Sequence, residues 1–358
     1  MSALLARLRG RSLAAWMADG RDNMVVVRLV AALAVLFGHS YALAGLGMAE
    51  ADPVRRLLGQ TYSHFIGVMM FFTLSGLLIT LAWQRRPNLP YFLRSRALRI
   101  LPALFVCAVA SALLLGAAMT TLPAAAYFGS TQPWRYVAGN ASLLDLQWTL
   151  PGVFASNPTT DYVNGSLWTL PVESGLYLAV AALGLAGLLT RRAWIASVAI
   201  VLAAALWLRV PLLSGEQVSI ETALIVFFAF GAWCCVNRAW LPLSTPILLI
   251  LAAAAWLAFG TPLYQPLLAL GIAYGTLWLA YVPRLPQGRW GDLSYGTYLW
   301  GFPVQQTLIA VAGLRDPLSI FAACLAPTLI LAWLSWRLVE QPALRYKYPP
   351  RSAPVAAS

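Results

Sequence analysis

The chain has 358 residues, of which 60% are hydrophobic and only 10% charged, so it is far more apolar than an ordinary soluble domain. Its formal net charge is +12, from 24 basic and 12 acidic residues. The basic residues form short clusters between long apolar runs, whereas a nucleic-acid-binding domain collects them on one solvated face. The composition therefore predicts a polytopic membrane protein that is surrounded by a lipid bilayer and has no nucleic-acid partner.

Apolar segments long enough to cross a bilayer recur along the whole chain. A helix needs about 20 apolar residues to span the hydrocarbon core, and runs such as residues 196–206 lack the alternation of a β-barrel strand. The sequence therefore predicts an all-α fold with about ten transmembrane helices. We place these helices near residues 25–44, 62–83, 100–122, 166–189, 193–213, 219–236, 245–260, 265–282, 292–312 and 318–338.

The distribution of Lys and Arg predicts the orientation, because cytoplasmic loops retain these residues. With the N-terminus inside, 19 of the 24 basic residues fall on the cytoplasmic side. Both termini are therefore expected in the cytoplasm, with residues 1–23 as an N-terminal segment, 24–345 as the ten-helix membrane domain and 346–358 as a tail. The outer loop over residues 123–165 is predicted to form a partly re-entrant cap.

Two ionisable residues inside the predicted spans are functional candidates, because charge at bilayer depth is costly. His39 lies eleven residues, or about 16 Å of helix, beyond Arg28 on the first span. Glu173 lies seven residues, or about 10 Å, below Ser166, where the fourth span is expected to enter from outside. We therefore expect the two side chains at nearly the same depth, where the carboxylate orients the imidazole as a general base. The alternative is two separate packing groups.

A basic cluster precedes the third predicted span. Arg96 and Arg99 are three residues apart and project from one face of a helix, and paired guanidinium groups suit the phosphates of a cytosolic ligand. Arg28 falls in the same inner layer. The alternative is plain positive-inside anchoring. The four cysteines lack the spacing of metal ligands, so no metal is expected. His64, at the mouth of the second span, is expected to be solvated.

Six short motifs occur in order along the chain. They are Arg28-x10-His39, Phe71-Phe-Thr-Leu-Ser-Gly76, Arg96-x-x-Arg99, Gly165-Ser-Leu-Trp-Thr-Leu-Pro-Val-Glu173, Gly291-Asp-Leu-Ser-Tyr-Gly-Thr-Tyr-Leu-Trp300 and Glu340-Gln-Pro342. Together they resemble the membrane-bound acyltransferase-3 family over about residues 24–345. The resemblance implies a ten-helix enzyme that takes an acyl group, most often acetyl, from cytosolic acyl-CoA and delivers it to a carbohydrate hydroxyl at the outer face.

The same resemblance implies the substrates, the partners and the site. The donor is acetyl-CoA or another acyl-CoA, and the acceptor is an exopolysaccharide, an O-antigen or another glycan, free or lipid-linked. Glycan-assembly proteins are candidate partners, and the bacterial inner membrane is the expected location. The resemblance makes Arg28, Arg96 and Arg99 the expected CoA-binding residues, and His39 and Glu173 the expected catalytic pair.

Three questions stay open at the level of sequence. Direct transfer and an acyl intermediate on His39 are both consistent with the motifs. A transporter or flippase without acyl-transfer chemistry is the competing function, and an inactive scaffold for glycan assembly is a third. Members of the family commonly have His where this chain has Gly301, which is expected to tune the acceptor side by opening space between helices.

Overall fold

A computed structural model describes residues 10–190, 220–286 and 290–347 of the chain. Most of these residues lie in helices and almost none in strands, which confirms the all-α prediction for the described part. Its two short strands, β1 (Arg11–Ser12) and β2 (Pro242–Leu243), pair antiparallel. A helix satisfies all of its backbone hydrogen bonds internally, which is what a segment surrounded by lipid requires.

Eight helices form the described part up to residue 190. They are α1 (Leu13–Ala18), α2 (Met24–Ala44), α3 (Pro53–Leu58), α4 (Ser63–Arg85), α5 (Leu89–Met119), α6 (Ala124–Gly129), α7 (Gln132–Ser142) and α8 (Gly165–Leu185). A π-helical turn interrupts α5 at Ser111–Leu115, and α8 begins with the 3-10 turn Gly165–Trp168.

Five helices follow in the described part after residue 219. They are α9 (Ile220–Val236), α10 (Thr245–Leu257), α11 (Tyr264–Tyr281), α12 (Ser294–Ala312) and α13 (Pro317–Arg345). The last of them contains the π-helical turn Trp336–Glu340.

Five of the described helices, α2, α4, α5, α8 and α13, are long and apolar enough to cross a membrane. Helices α9 and α10 are apolar but shorter. The total of about ten spans and the cytoplasmic placement of both termini remain predictions. The span predicted at residues 193–213 lies outside the described residues.

Helix α5 begins eleven residues before the predicted start of the third span. The Asn88 side chain accepts a hydrogen bond from the backbone N–H of Tyr91 at 2.9 Å and so caps the helix. Pro90 suits the first helical turn, where a missing N–H costs nothing. The Arg-rich segment is therefore part of the helix itself and not a loop in front of it.

Helix α4 lies at the centre of the bundle, between α2 and α9. A Cβ on Gly76 would overlap the backbone of Phe228, and one on Gly231 would overlap the backbone of Thr73. Small residues allow this close approach of α4 and α9. Helices α2 and α4 run antiparallel, since Gly38 lies against His64 whereas Ala31 lies against Gly67.

The loop between α7 and α8 folds back onto α12. Asn157 donates hydrogen bonds to the backbone and side-chain oxygens of Gln306, and Gln306 donates to the backbone oxygens of Thr160 and Tyr162. Asn164 donates to the Leu299 backbone oxygen at 2.9 Å. These bonds hold residues 157–164 against the bundle near the His39 end of α2.

Candidate active site

His39 lies on α2, half-buried, between two aromatic neighbours. The centroid of its ring is 5.3 Å from that of His64 and 5.3 Å from that of Phe302. A narrow pocket lies beside it between α2, α12 and the first turn of α8, with about 160 Å³ of space between the atoms but no room for a water molecule. Its lining residues are Ala32, Val35, Leu36, His39, Ser166, Thr297, Tyr298, Gly301 and Phe302.

The pocket lining follows one face of α2. Its α2 residues recur every three or four positions from Ala32 to His39, which places them on one helix face over about 10 Å. Arg28 lies one helical turn beyond Ala32. The pocket therefore extends from the His39 imidazole toward the end of α2 that carries Arg28.

Two hydroxyl groups in this pocket have no partner among the described residues. Ser166 Oγ and Thr297 Oγ1 are both buried and make no hydrogen bond. By contrast, Tyr298 Oη donates to the Ser166 backbone oxygen at 2.7 Å and lies 2.5 Å from Thr169 Oγ1. An unsatisfied buried hydroxyl costs about 1–3 kcal/mol. These two groups are therefore candidates for contact with a bound substrate.

A group of four charged residues lies at the opposite end of the pocket. The Asp292 carboxylate contacts Arg28 at 2.7 Å and Arg99 at 2.6 Å, and Arg99 also contacts Glu340 at 3.1 Å. Glu340 is 2% exposed and accepts a hydrogen bond from Ser335. These contacts join α2, α5, α13 and the loop before α12, and the four formal charges balance within one cluster.

Local backbone geometry presents Asp292 to the two arginines. Gly291 has φ +88, and a Cβ there would overlap the Trp336 ring, so only glycine fits. Asp292 then lies in the loop before α12. Burial raises the pKa of its carboxyl, but Arg28, Arg99 and hydrogen bonds from Ser294 more than offset burial. The pKa of Asp292 is therefore well below its ordinary value and the carboxylate is ionised.

Glu173 lies near this charged cluster and not beside His39. Its carboxylate accepts hydrogen bonds from Ser75, at 3.0 Å, and from Tyr177. Arg96 lies within electrostatic range of both Glu173 and Tyr177. Among the described residues Arg96 makes no ion pair, and its Nε donates to Ser95 Oγ at 3.3 Å.

The prediction that His39 and Glu173 share one depth is wrong. His64, the neighbour of His39, and Ser75, the partner of Glu173, are eleven residues apart on α4, or about 16 Å. The prediction assumed that the fourth span starts at the membrane surface. A Cβ on Gly165 would overlap the Phe302 ring, and that ring contacts His39, so α8 begins near the depth of His39 and Glu173 lies two turns further in.

The structure also distinguishes the three arginines that the sequence grouped together. Arg28 and Arg99 share Asp292, whereas Arg96 makes no ion pair among the described residues and lies within electrostatic range of Glu173. The sequence reasoning assigned no role to Asp292 or to the other acidic and hydroxyl partners. A signal was present in the motifs, because three of these partners, Ser75, Asp292 and Glu340, stand inside the quoted segments.

His64 also differs from its expected environment. It is half-buried, and its Nδ1 atom is buried with no hydrogen-bond partner among the described residues. No group of His, Cys, Asp and Glu in the described part could hold a metal ion.

Comparison with known proteins identifies the family. Residues 22–337 match the family model described as an acyltransferase domain. The chain belongs to the acyltransferase-3 family. This membership covers most of the chain, including both ends of the pocket, and it supports acyl transfer by a membrane-embedded protein with an acyl donor.

Two relatives match over nearly the whole length of the chain. An O-acetyl transferase of Shigella phage Sf6 is 29% identical over 324 residues, which cover 88% of this chain and 93% of the relative. Nodulation protein 10 of Rhizobium leguminosarum bv. viciae is 30% identical over 369 residues, which cover 91% of this chain and 94% of the relative. No solved structure matches the chain significantly.

Proposed function

We propose that this acyltransferase-3 protein takes an acyl group from cytosolic acyl-CoA and transfers it to a hydroxyl of a carbohydrate, with acetyl as the expected group. The pocket beside His39 carries this proposal, because its lining continues along α2 from His39 to Ala32, one turn short of Arg28. An extended pantetheine arm along this face of α2 would bring a thioester to His39 while the nucleotide stays at the other end. The arm enters only if the side chains between α2 and α12 move apart, because the pocket has no room for a water molecule in this structure.

The donor phosphates are assigned to the end that carries the arginines. Arg96 supports this assignment best, because its guanidinium is the one of the three that makes no ion pair among the described residues. Arg28 and Arg99 border the same entry, where their pairing with Asp292 fixes the surrounding helix ends. Guanidinium groups bind phosphate oxygens through paired hydrogen bonds. Glu173, within electrostatic range of Arg96, is assigned to this donor end.

The chemistry is assigned to the His39 end. The acceptor oxygen bonds to the acyl carbonyl carbon, the bond from that carbon to sulfur breaks, and CoA leaves as the thiolate. His39 serves either as the base for the hydroxyl proton or as the first acceptor of the acyl group. Ser166 and Thr297 supply unsatisfied hydroxyl groups that suit contact with substrate oxygens.

The proposal also covers the acceptor substrate and the cellular location of the protein. The phage relative is named O-acetyl transferase, which supports an oxygen acceptor and an acetyl group. A glycan or lipid-linked glycan acceptor, glycan-assembly partners and the bacterial inner membrane follow from the resemblance in the motifs.

The test compares cells that carry the intact chain with cells that carry His39→Ala. Loss of a catalytic imidazole typically costs about 10²–10⁴-fold, so alkali-labile acetate on the surface glycan should fall to background in the variant. Immunoblots of the membranes verify equal protein amounts. Full ester content with His39→Ala at normal abundance would contradict the proposal. Equal lack of ester in both strains, with altered glycan export, would favour a transporter.

A further inference from the structure

The second histidine of the chain lies directly beside the first. The sequence contains two histidines in 358 residues, and their ring centroids are 5.3 Å apart at an interplanar angle of 32°. They come from different helices, α2 and α4, and are 25 positions apart in sequence. The pairing is therefore a product of the tertiary fold.

A glycine makes this pairing possible. A Cβ on residue 38 would overlap the backbone nitrogen of His64 and lie 2.8 Å from its Nδ1, so α2 and α4 can cross here only because residue 38 is Gly. The crossing buries His64 Nδ1, which has no hydrogen-bond partner among the described residues. A packing histidine would normally have this nitrogen satisfied.

The first turn of α4 is fixed in place next to His64. Asp52, fully buried, accepts hydrogen bonds from the backbone N–H of Ser63 at 2.9 Å and from its hydroxyl at 2.8 Å. On the other side of His64, Tyr62 stacks on the imidazole at 5.4 Å and donates to Glu50. These contacts hold the His64 ring in one position, as a catalytic group requires.

The two imidazoles occupy different sides of the site. His39 lines the pocket that we assign to the donor, whereas His64 does not line it. The His64 ring contacts the His39 ring and the Tyr62 ring, at centroid distances of 5.3 and 5.4 Å. His64 therefore places a second imidazole next to His39 that the donor pocket does not use.

We propose that His64 is the base that accepts the proton of the acceptor hydroxyl, which rests on the acyl-transfer function proposed above. The hydroxyl oxygen bonds to the acyl carbonyl carbon while its proton passes to the His64 imidazole. The bond from that carbon to a His39 nitrogen, which had first displaced the CoA thiolate, breaks, and the nitrogen keeps the electron pair. With His64 as the base, His39 is therefore the first acceptor of the acyl group.

The experiment uses the full chain in host membranes with acetyl-CoA labelled in the acetyl group, and it measures label in alkali-labile esters of the host glycan. His64→Phe keeps an aromatic ring of similar size but lacks both nitrogens, so transfer should fall by about 10²-fold or more. His64→Ala leaves a space that free imidazole can enter, and added imidazole should restore transfer at least tenfold. Imidazole should not rescue His64→Phe.

Two further measurements separate catalysis from folding. Acetyl-CoA should raise the thermal unfolding temperature of purified His64→Phe as much as that of the unchanged protein, and Asp145→Asn, in the exposed Asp145–Arg135 pair, should transfer within threefold of normal. Transfer by His64→Phe within threefold of normal overturns the proposal, and so does failure of imidazole to rescue His64→Ala. Absence of transfer by the unchanged chain would instead count against the proposed function itself.

Discussion

The Asp292 carboxylate contacts the Arg99 guanidinium at 2.6 Å and so joins the start of α12 to α5. The same carboxylate oxygen contacts Arg28 of α2 at 2.7 Å. One acidic residue thus fixes the relative positions of three helices that border the proposed donor entry. Because Arg99 is 14% exposed and Asp292 13%, this pairing lies largely out of water.

Removal of the shared carboxylate should destabilise the protein. Asp292→Asn removes the negative charge that pairs with the largely buried guanidinium groups of Arg28 and Arg99. Removal of one partner from a buried ion pair costs about 3 kcal/mol. We expect a clear fall in the thermal unfolding temperature of the purified protein. The matched control is Asp145→Asn, since the Asp145–Arg135 pair is long, at 3.6 Å, and 67% exposed on both sides. Equal unfolding temperatures for the two variants would contradict the structural role of Asp292.

Arg96→Gln should weaken use of the donor more than it slows the chemistry. A charge-assisted hydrogen bond contributes about 1.5–3 kcal/mol, so KM for acetyl-CoA should rise about tenfold or more with a smaller change in kcat. Steady-state transfer in membranes over a range of acetyl-CoA concentrations measures both constants. Arg94→Gln is the control, because Arg94 is exposed on the same helix. If both variants kept the normal KM, Arg96 would not bind the donor.

Gly301→Ala should slow transfer by crowding the pocket beside His39. The new methyl group would lie 2.7 Å from Leu36 Cδ1, so the Leu36 side chain must move within the pocket lining. Small displacements at a reacting centre are costly, and we expect about tenfold slower transfer.

Two companion variants test that explanation for Gly301. Leu36→Val in the Gly301→Ala background should recover part of the lost rate, because it removes the crowded methyl group. Gly271→Ala on α11 has open space around the new methyl and should transfer normally. A Gly301→Ala protein with an unchanged rate would show that the pocket tolerates the added volume.

The local parts of this protein could be predicted from its sequence. Apolar length alone located α2 and α4 within two residues at each end, since a spanning helix needs a continuous apolar run. The cost of charge at bilayer depth singled out His39 and Glu173 as groups that need an explanation. The ordered motifs identified the family over nearly the whole chain, which the match to residues 22–337 confirms.

Partners across helices depended on the tertiary structure. Depth estimates failed for Glu173 because they assumed where α8 enters the membrane, whereas α8 begins beside His39. Helical periodicity gives the face on which a residue lies, but not the helix that packs against that face. The contact of His64 with His39, and of Asp292 with two arginines, therefore came only from the packing of α2, α4, α5 and α12.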